Sequence, residues 1–213
     1  MNNRITILLF LLLLPFLKID AAAQSDIDHN WDIDLLEQIN VNRNKNLDKT
    51  FDLFSNSVYV SAAIPVGMFV YSFIEDNIEL RDESIFIAGG LIGTLTFNTI
   101  LKNVVKRERP FNTYNTIEKA TSASGYSMAS GHTAYAFSTA TALSLYHPKW
   151  YVIIPSYLWA GSVAYSRMHL GVHYPSDVLV GAIIGSGTSY LSYRLQKYLN
   201  KKHNDKLMLD TLK

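Results

Sequence analysis

Charged residues withdraw from five stretches of this chain. Leu53 to Ile74 has none over 22 residues, and Ser84 to Leu101 has none over 18. Trp150 to Ser166 and Val178 to Tyr193 are also free of charge, and Ala134 to Tyr146 is a shorter run rich in Ala, Ser and Thr. No stretch alternates with a period of two for long, so the pattern predicts helices and no sheet. The expected fold is all-α, a bundle of about five long helices with short ones before it. A helix needs roughly 20 residues to cross hydrocarbon. The first two runs meet that length and the other three are borderline. Gly89, Gly90, Gly93, Gly181, Gly185 and Gly187 would let helices approach closely, in a membrane bundle or a tight soluble one.

The polar stretches divide the rest. Arg4, the apolar run Ile5–Leu17 and Ala21-Ala22-Ala23 read as a signal peptide over residues 1–23, with an uncleaved first membrane helix as the alternative. Residues 24–52 are a polar segment with short amphipathic helices. Trp31, Leu35 and Ile39 recur at four-residue spacing and predict one apolar face there. Residues 53–198 form the main domain, and 199–213 a basic polar tail.

Composition supports a membrane or an unusually apolar core. Apolar residues make up 48% of the chain and charged residues 17%, against about 25% charged in an average globular protein. A net charge of +1 gives no general attraction to nucleic acid. The absence of cysteine excludes disulfides, thiolate catalysis and zinc–cysteine sites. No obligatory protein partner is indicated.

Letting each run cross a membrane in turn, with Gln24 outside, brings three polar clusters to one outer face. These are Lys102–Arg109, the stretch ending Ser130-Gly131-His132, and Arg167–Asp177. The tail, with Arg194, Lys197, Lys201, Lys202 and Lys206, lands inside, as the positive-inside rule requires. The acidic stretch Glu75–Glu83 sits poorly as an inner loop, and the basic cluster outside needs a functional reason.

Each cluster has a chemical and a bland reading. Lys102 and Arg109 are seven apart, two helical turns, so they share a face until Pro110 ends the helix. Two cations there hold an oxyanion, or simply solvate a helix end. A helix starting near Ser130 would turn free N–H groups towards an anion, with Gly131 admitting close approach and His132 placed to donate a proton. The alternative is a Ser cap and an incidental histidine. Pro175 and Ser176 start the last helix, where Asp177 is favoured by the helix dipole. Asp177 can also fix the tautomer of His173 and leave its other nitrogen as nucleophile. Arg167 adds a third cation. His169 competes with His173, but its spacing to Asp177 does not suit one turn. His147, Lys149 and His203 read as surface positions, and His29 has no evident partner.

Lys102 with Arg109-Pro110, then Ser130-Gly131-His132, then Ser166-Arg167, His173 and Asp177 resemble in order and spacing the three signatures of the type 2 phosphatidic acid phosphatase family. The similarity spans Lys102 to Asp177. One position departs: the second signature usually begins with Pro, and Ala129 stands there. The resemblance implies a membrane-associated helical bundle and a phosphatase that needs no metal or other cofactor. It implies His173 as nucleophile, Asp177 as its orienting carboxylate and His132 as acid–base partner. It implies Lys102, Arg109, Ser130, Gly131 and Arg167 as the phosphate holders. The expected substrate is a lipid phosphate monoester or diphosphate, and the expected location a bacterial inner membrane with a periplasmic site. A soluble periplasmic acid phosphatase is the main alternative. A vanadium haloperoxidase and a catalytically silent membrane scaffold stand behind it.

Overall fold

The computed structural model describes residues 30–211, with side chains to residue 202. The expected signal peptide and His29 lie outside that range, as does the side chain of His203. The elements are α1 (Trp31–Asn40), a 3-10 turn (Lys45–Leu47), α2 (Asp48–Ile74), α3 (Ile78–Val105), α4 (Pro110–Thr113), α5 (Gly131–Tyr146), α6 (Trp150–His169) and α7 (Pro175–Thr211). The described residues contain no strand, and each charge-free run falls inside one helix. The fold is all-α. α7 runs unbroken past residue 199, so the basic tail continues the last helix up to Thr211.

α5 is the central helix, packed against α2, α3, α6 and α7. It is apolar or small on every side, as a helix surrounded by others must be. Its Ala136 and Ala140 meet Val58 of α2 and Ala160 and Val163 of α6 in one core cluster. Its Ala142 meets Phe86, Ile87 and Leu91 of α3 in another.

The seam between α5 and α7 has a strict register. Asp177, Gly181, Gly185 and Ser189 are four apart and share one face of α7. They meet Ser130, Ala134 and Ser138 of α5. The N–H of Ser130 donates to the carbonyl of Asp177 (3.0 Å), and the hydroxyl of Ser189 donates to the carbonyl of Ser138 (2.7 Å). Between them the backbones nearly touch. A Cβ on Gly181 would lie 2.6 Å from the Ser130 carbonyl oxygen, and one on Gly185 2.0 Å from that of Ala134. Gly187, by contrast, faces open space, so the expected close approach does not occur there. Gly185→Ala is therefore expected to pry α7 off α5 and cost about 1–3 kcal/mol. Thermal unfolding in detergent checks this, with Gly67→Ala, where nothing lies within 4 Å, as the unaffected control.

α2 and α3 are each long and apolar enough to cross a membrane. Their outer faces expose Leu53, Val60, Val66, Ile74, Ile92 and Ile100, each more than half accessible. Soluble monomers rarely expose apolar surface on that scale.

Three sequence expectations are corrected. The buried face of α1 is Asp32, Ile33, Leu36 and Asn40, whereas Trp31 and Leu35 are exposed. Two polar residues belong to the buried face because they find buried partners, so hydrophobicity alone selects the wrong stripe. Lys102 and Arg109 do not share a helix: α3 ends at Val105, with Lys106 left-handed at its cap, and Pro110 opens α4. Proline suits a first helical position and forces Arg109 before it into extended backbone. The acidic stretch is a loop only at its start, since Ile78 onward is already helix. Glu83 is buried against Nε2 of His147 (2.8 Å), and Gln196 of α7 donates to the Asp82 carbonyl (2.6 Å). The acidic residues are thus absorbed by a helix start and by neighbours. His147 is at the surface, as expected, and adds this one contact to Glu83.

Candidate active site

The ends of α3 and α6 and the starts of α5 and α7 converge at one end of the bundle. Between them lies a cavity of about 530 Å³, within the size range of small-molecule sites. It is lined by the cations Lys102, Arg109, Lys119 and Arg167 and by His132 and His173. No carboxylate is among the described residues that line it. Such a cavity selects an anion carrying more than one charge.

His173 is placed by the turn between α6 and α7. α6 ends at His169, and Gly171 takes a positive φ of 70° that lets the chain reverse. A side chain there would also strike the Glu118 carbonyl, 2.4 Å from the Cβ position. The reversal buries His173 almost completely. Its Nδ1 lies 3.5 Å from Oδ2 of Asp177, the outer limit of a hydrogen bond, and its Nε2 lies 3.4 Å from the Arg109 guanidinium. Burial pushes the imidazole pKa down to about 4, against the opposing pull of Asp177. The ring is therefore neutral near pH 7 and holds a lone pair.

Asp177 is fully buried and bonded on both oxygens. Oδ2 accepts from the Ser127 hydroxyl and from the N–H of Tyr174 (3.0 Å). Oδ1 accepts from Arg107 (3.0 Å). Ser127 also lies 3.5 Å from Nδ1 of His173.

The cations are held differently. Arg109 donates to the carbonyls of Ser124 (2.8 Å), Gly125 (3.0 Å) and Val172 (2.8 Å), so it ties two loops together while its charge faces the cavity. Lys102, in the last turn of α3, donates to the Tyr126 carbonyl (2.6 Å). Arg167 is buried and donates to Ser55 of α2, while its Nε is buried without a hydrogen-bond partner. An oxyanion is the natural occupant for such a group.

The opening of α5 is as the sequence predicts. Ser130 is the N-cap, Gly131 and His132 follow, and both line the cavity. The ring of His132 meets Tyr59 edge-on at 5.5 Å. Ser130 itself is fully buried, accepts from the Thr133 hydroxyl (3.0 Å) and does not line the cavity. Ala129 is fully buried, in a cis peptide bond with Met128. His169, the competing histidine, pairs with Asp48 (3.0 Å) away from the cavity.

Sequence reasoning missed Ser127, Arg107, Ser55, Tyr59 and Lys119. Arg107 and Ser127 lie inside or beside the recognised signatures, which was a usable signal. Ser55 and Tyr59 come from an apolar helix with no local sign of chemistry.

The sequence profile of the PAP2 superfamily matches residues 84–201, which include every cation and histidine that lines the cavity. The chain belongs to the PAP2 superfamily. This PAP2 chain is 30% identical to an undecaprenyl-diphosphatase of Sulfolobus acidocaldarius over 193 residues, 90% of each protein. It is 33% identical to a lipid A 4'-phosphatase of Bacteroides thetaiotaomicron over 129 residues, 55% of this chain and 56% of that one. Among solved structures, Aquifex aeolicus LpxE matches with a TM-score of 0.67 at 26% identity, over 78% of this chain and 97% of the other. The PAP2 chain is accordingly a phosphoric-ester hydrolase and a membrane protein.

Proposed function

We propose that this PAP2 enzyme hydrolyses a lipid-linked phosphate or diphosphate through a phosphohistidine on His173, at a site facing the periplasm. The carrying observation is the convergence of Lys102, Arg109, Arg167, His132 and His173 on one anion-selective cavity, with Asp177 directly behind His173. Nε2 of His173 forms a bond to phosphorus as the bond from phosphorus to the leaving oxygen breaks. That oxygen keeps the electron pair and takes the proton of His132, whose charged form the negative charge of the bound phosphate stabilises against the surrounding cations. His132, now neutral, takes a proton from water as the water oxygen attacks phosphorus. The P–N bond breaks and its pair returns to His173. Phosphoryl transfer of this kind is mostly positioning and neutralisation of equatorial charge. Lys102, Arg109 and Arg167, with the helix N-terminus at Gly131, supply that neutralisation in the place a metal ion takes elsewhere.

A lipid substrate is supported by the exposed apolar faces of α2 and α3 beside the cavity, and a soluble acid phosphatase would have no use for them. The relation to an undecaprenyl-diphosphatase over nine-tenths of both chains supports an isoprenoid diphosphate in particular. The orientation is supported by charge. Lys197, Lys201 and Lys202 of α7 lie at the end opposite the cavity, where the positive-inside rule places cytoplasm.

Purified enzyme is expected to release phosphate from undecaprenyl diphosphate in detergent with EDTA present, and to act more slowly on a soluble phosphate ester. Loss of activity in EDTA would overturn the role given to the cations. Preference for the soluble ester would favour the acid-phosphatase reading, and peroxide-dependent halide oxidation with vanadate the haloperoxidase one. The chain has no cysteine, so Ser122→Cys at the cavity rim reads the orientation: an impermeant maleimide should label it in intact cells.

A further inference from the structure

Helix α1 lies outside the residues that match the family profile, yet through Arg107 it is linked to the carboxylate behind His173. Asp32 is buried. Its Oδ2 accepts from Arg107 (2.6 Å) and from the Ser176 hydroxyl (2.5 Å), and its Oδ1 accepts from the Ser176 N–H (2.8 Å). Arg107 in turn donates to Oδ1 of Asp177 (3.0 Å) and to the Ser176 hydroxyl (2.6 Å). Its guanidinium lies over the ring of Tyr174, 3.7 Å from the centroid. That ring packs with Ile33 and Leu36 of α1. The far end of α1 is pinned as well: Asn40 donates to the carbonyls of His169 (2.8 Å) and Glu118 (3.1 Å) and accepts from the Glu118 N–H (2.8 Å). α1 therefore clamps the segment His173–Asp177 from outside, by apolar contact at Tyr174 and by charge at Ser176 and Arg107.

We propose that Asp32 and Arg107 are positioning residues of the active site, and that α1 acts through them to fix the plane of the Asp177 carboxylate. Arg107 occupies Oδ1, which leaves Oδ2 turned towards Nδ1 of His173. Asp32 holds Arg107 in the one orientation that does this, and its charge offsets the second face of the guanidinium. Neither residue lines the cavity, so neither touches substrate. The inference rests on the reading of His173 as nucleophile and Asp177 as its orienting group.

The test uses the full chain in detergent with undecaprenyl diphosphate, measuring phosphate release, unfolding temperature and the pH profile of kcat. Misplacing a catalytic group costs about 10- to 100-fold, so Asp32→Asn should lower kcat about tenfold and Arg107→Met about 100-fold, with KM within about twofold. Arg107→Lys should recover part of the loss. The double variant should be no worse than Arg107→Met alone, because both act on one carboxylate. The pH profile separates positioning from mere folding. His173 is faced by Asp177 from α7, Arg109 before α4, Arg167 from α6, Lys102 from α3 and His132 from α5. With Arg107 removed, Asp177 acts on His173 undivided and favours the imidazolium, so the acid limb of kcat should move to higher pH. Wild-type kcat in both single variants would overturn the proposal. So would a loss of activity that tracks the folded fraction with the acid limb unmoved. If His173→Ala keeps its activity, the assignment of the site falls first; if only His173→Ala loses activity, the positioning role alone falls.

Discussion

His173→Ala should abolish phosphate release, by about 10³-fold or more, with the fold intact. The loss follows from the geometry: among the described histidines, His173 alone combines a buried neutral ring, a carboxylate at Nδ1 and an Nε2 facing the cavity cations. The variant removes the nitrogen proposed to form the covalent bond, and water entering the space has no carboxylate-oriented base to replace it. Acid quench of the wild-type enzyme during turnover of a labelled diphosphate should trap phosphate on the protein, and His173→Ala should trap none. pH adds an independent check. The pKa of His173 is lowered to about 4 by burial. The nucleophile is unprotonated above that value and lost as pH falls through it, so its contribution to the acid limb of kcat should appear near pH 4 and not near 6.5. A catalytically silent scaffold would be indifferent to both tests.

Arg109→Ala should damage activity and stability together. Its guanidinium joins the carbonyls of Ser124 and Gly125 to that of Val172, next to His173. Truncation leaves the buried Val172 carbonyl without this donor, at a cost of about 1–3 kcal/mol, and frees the exposed Ser124 and Gly125 carbonyls to water, which unties the two loops. It also removes a charge 3.4 Å from Nε2 of His173. Loss of one preorganised donor at a transition state costs about 10²–10³ in kcat. Arg109→Lys should restore little, because one ammonium cannot span three carbonyls in a fork. Unfolding temperature and kcat measured on the same preparations check the two effects. Arg167→Ala offers a contrast: among the described residues the guanidinium makes one side-chain hydrogen bond, to Ser55, and its Nε has no hydrogen-bond partner. It should cost activity with less loss of stability.

Most of the site was legible because its residues sit at helix ends, where sequence punctuation is strong. Pro175 and Ser176 mark the start of α7, Ser130 caps α5, and Pro110 follows Arg109. These signals place Asp177, His132 and Arg109 without any knowledge of packing. The error over Lys102 and Arg109 is instructive. Seven-residue spacing fits one helix face, but Lys106 ends α3 in a left-handed cap, and the two cations meet only because the chain turns back. The α1 error has the opposite cause. Asp32 and Asn40 are buried for their hydrogen bonds, which no apolar periodicity records.

The chain alone therefore carries the helices, their order, the cluster of anion-binding side chains and the pairing of His173 with Asp177. Each of these rests on local propensity, on hydrophobic runs, or on residues close together in sequence. Packing decides the rest. Ser127 and Arg107 meet at Asp177, with Asp32 behind Arg107, only when α7 is seated on α5 through Gly181 and Gly185. Ser130 turns inward and leaves the cavity to Gly131, because the same seam places its N–H against the carbonyl of Asp177. Contacts between residues far apart in sequence depend on helix register and close backbone approach, and neither leaves a local trace.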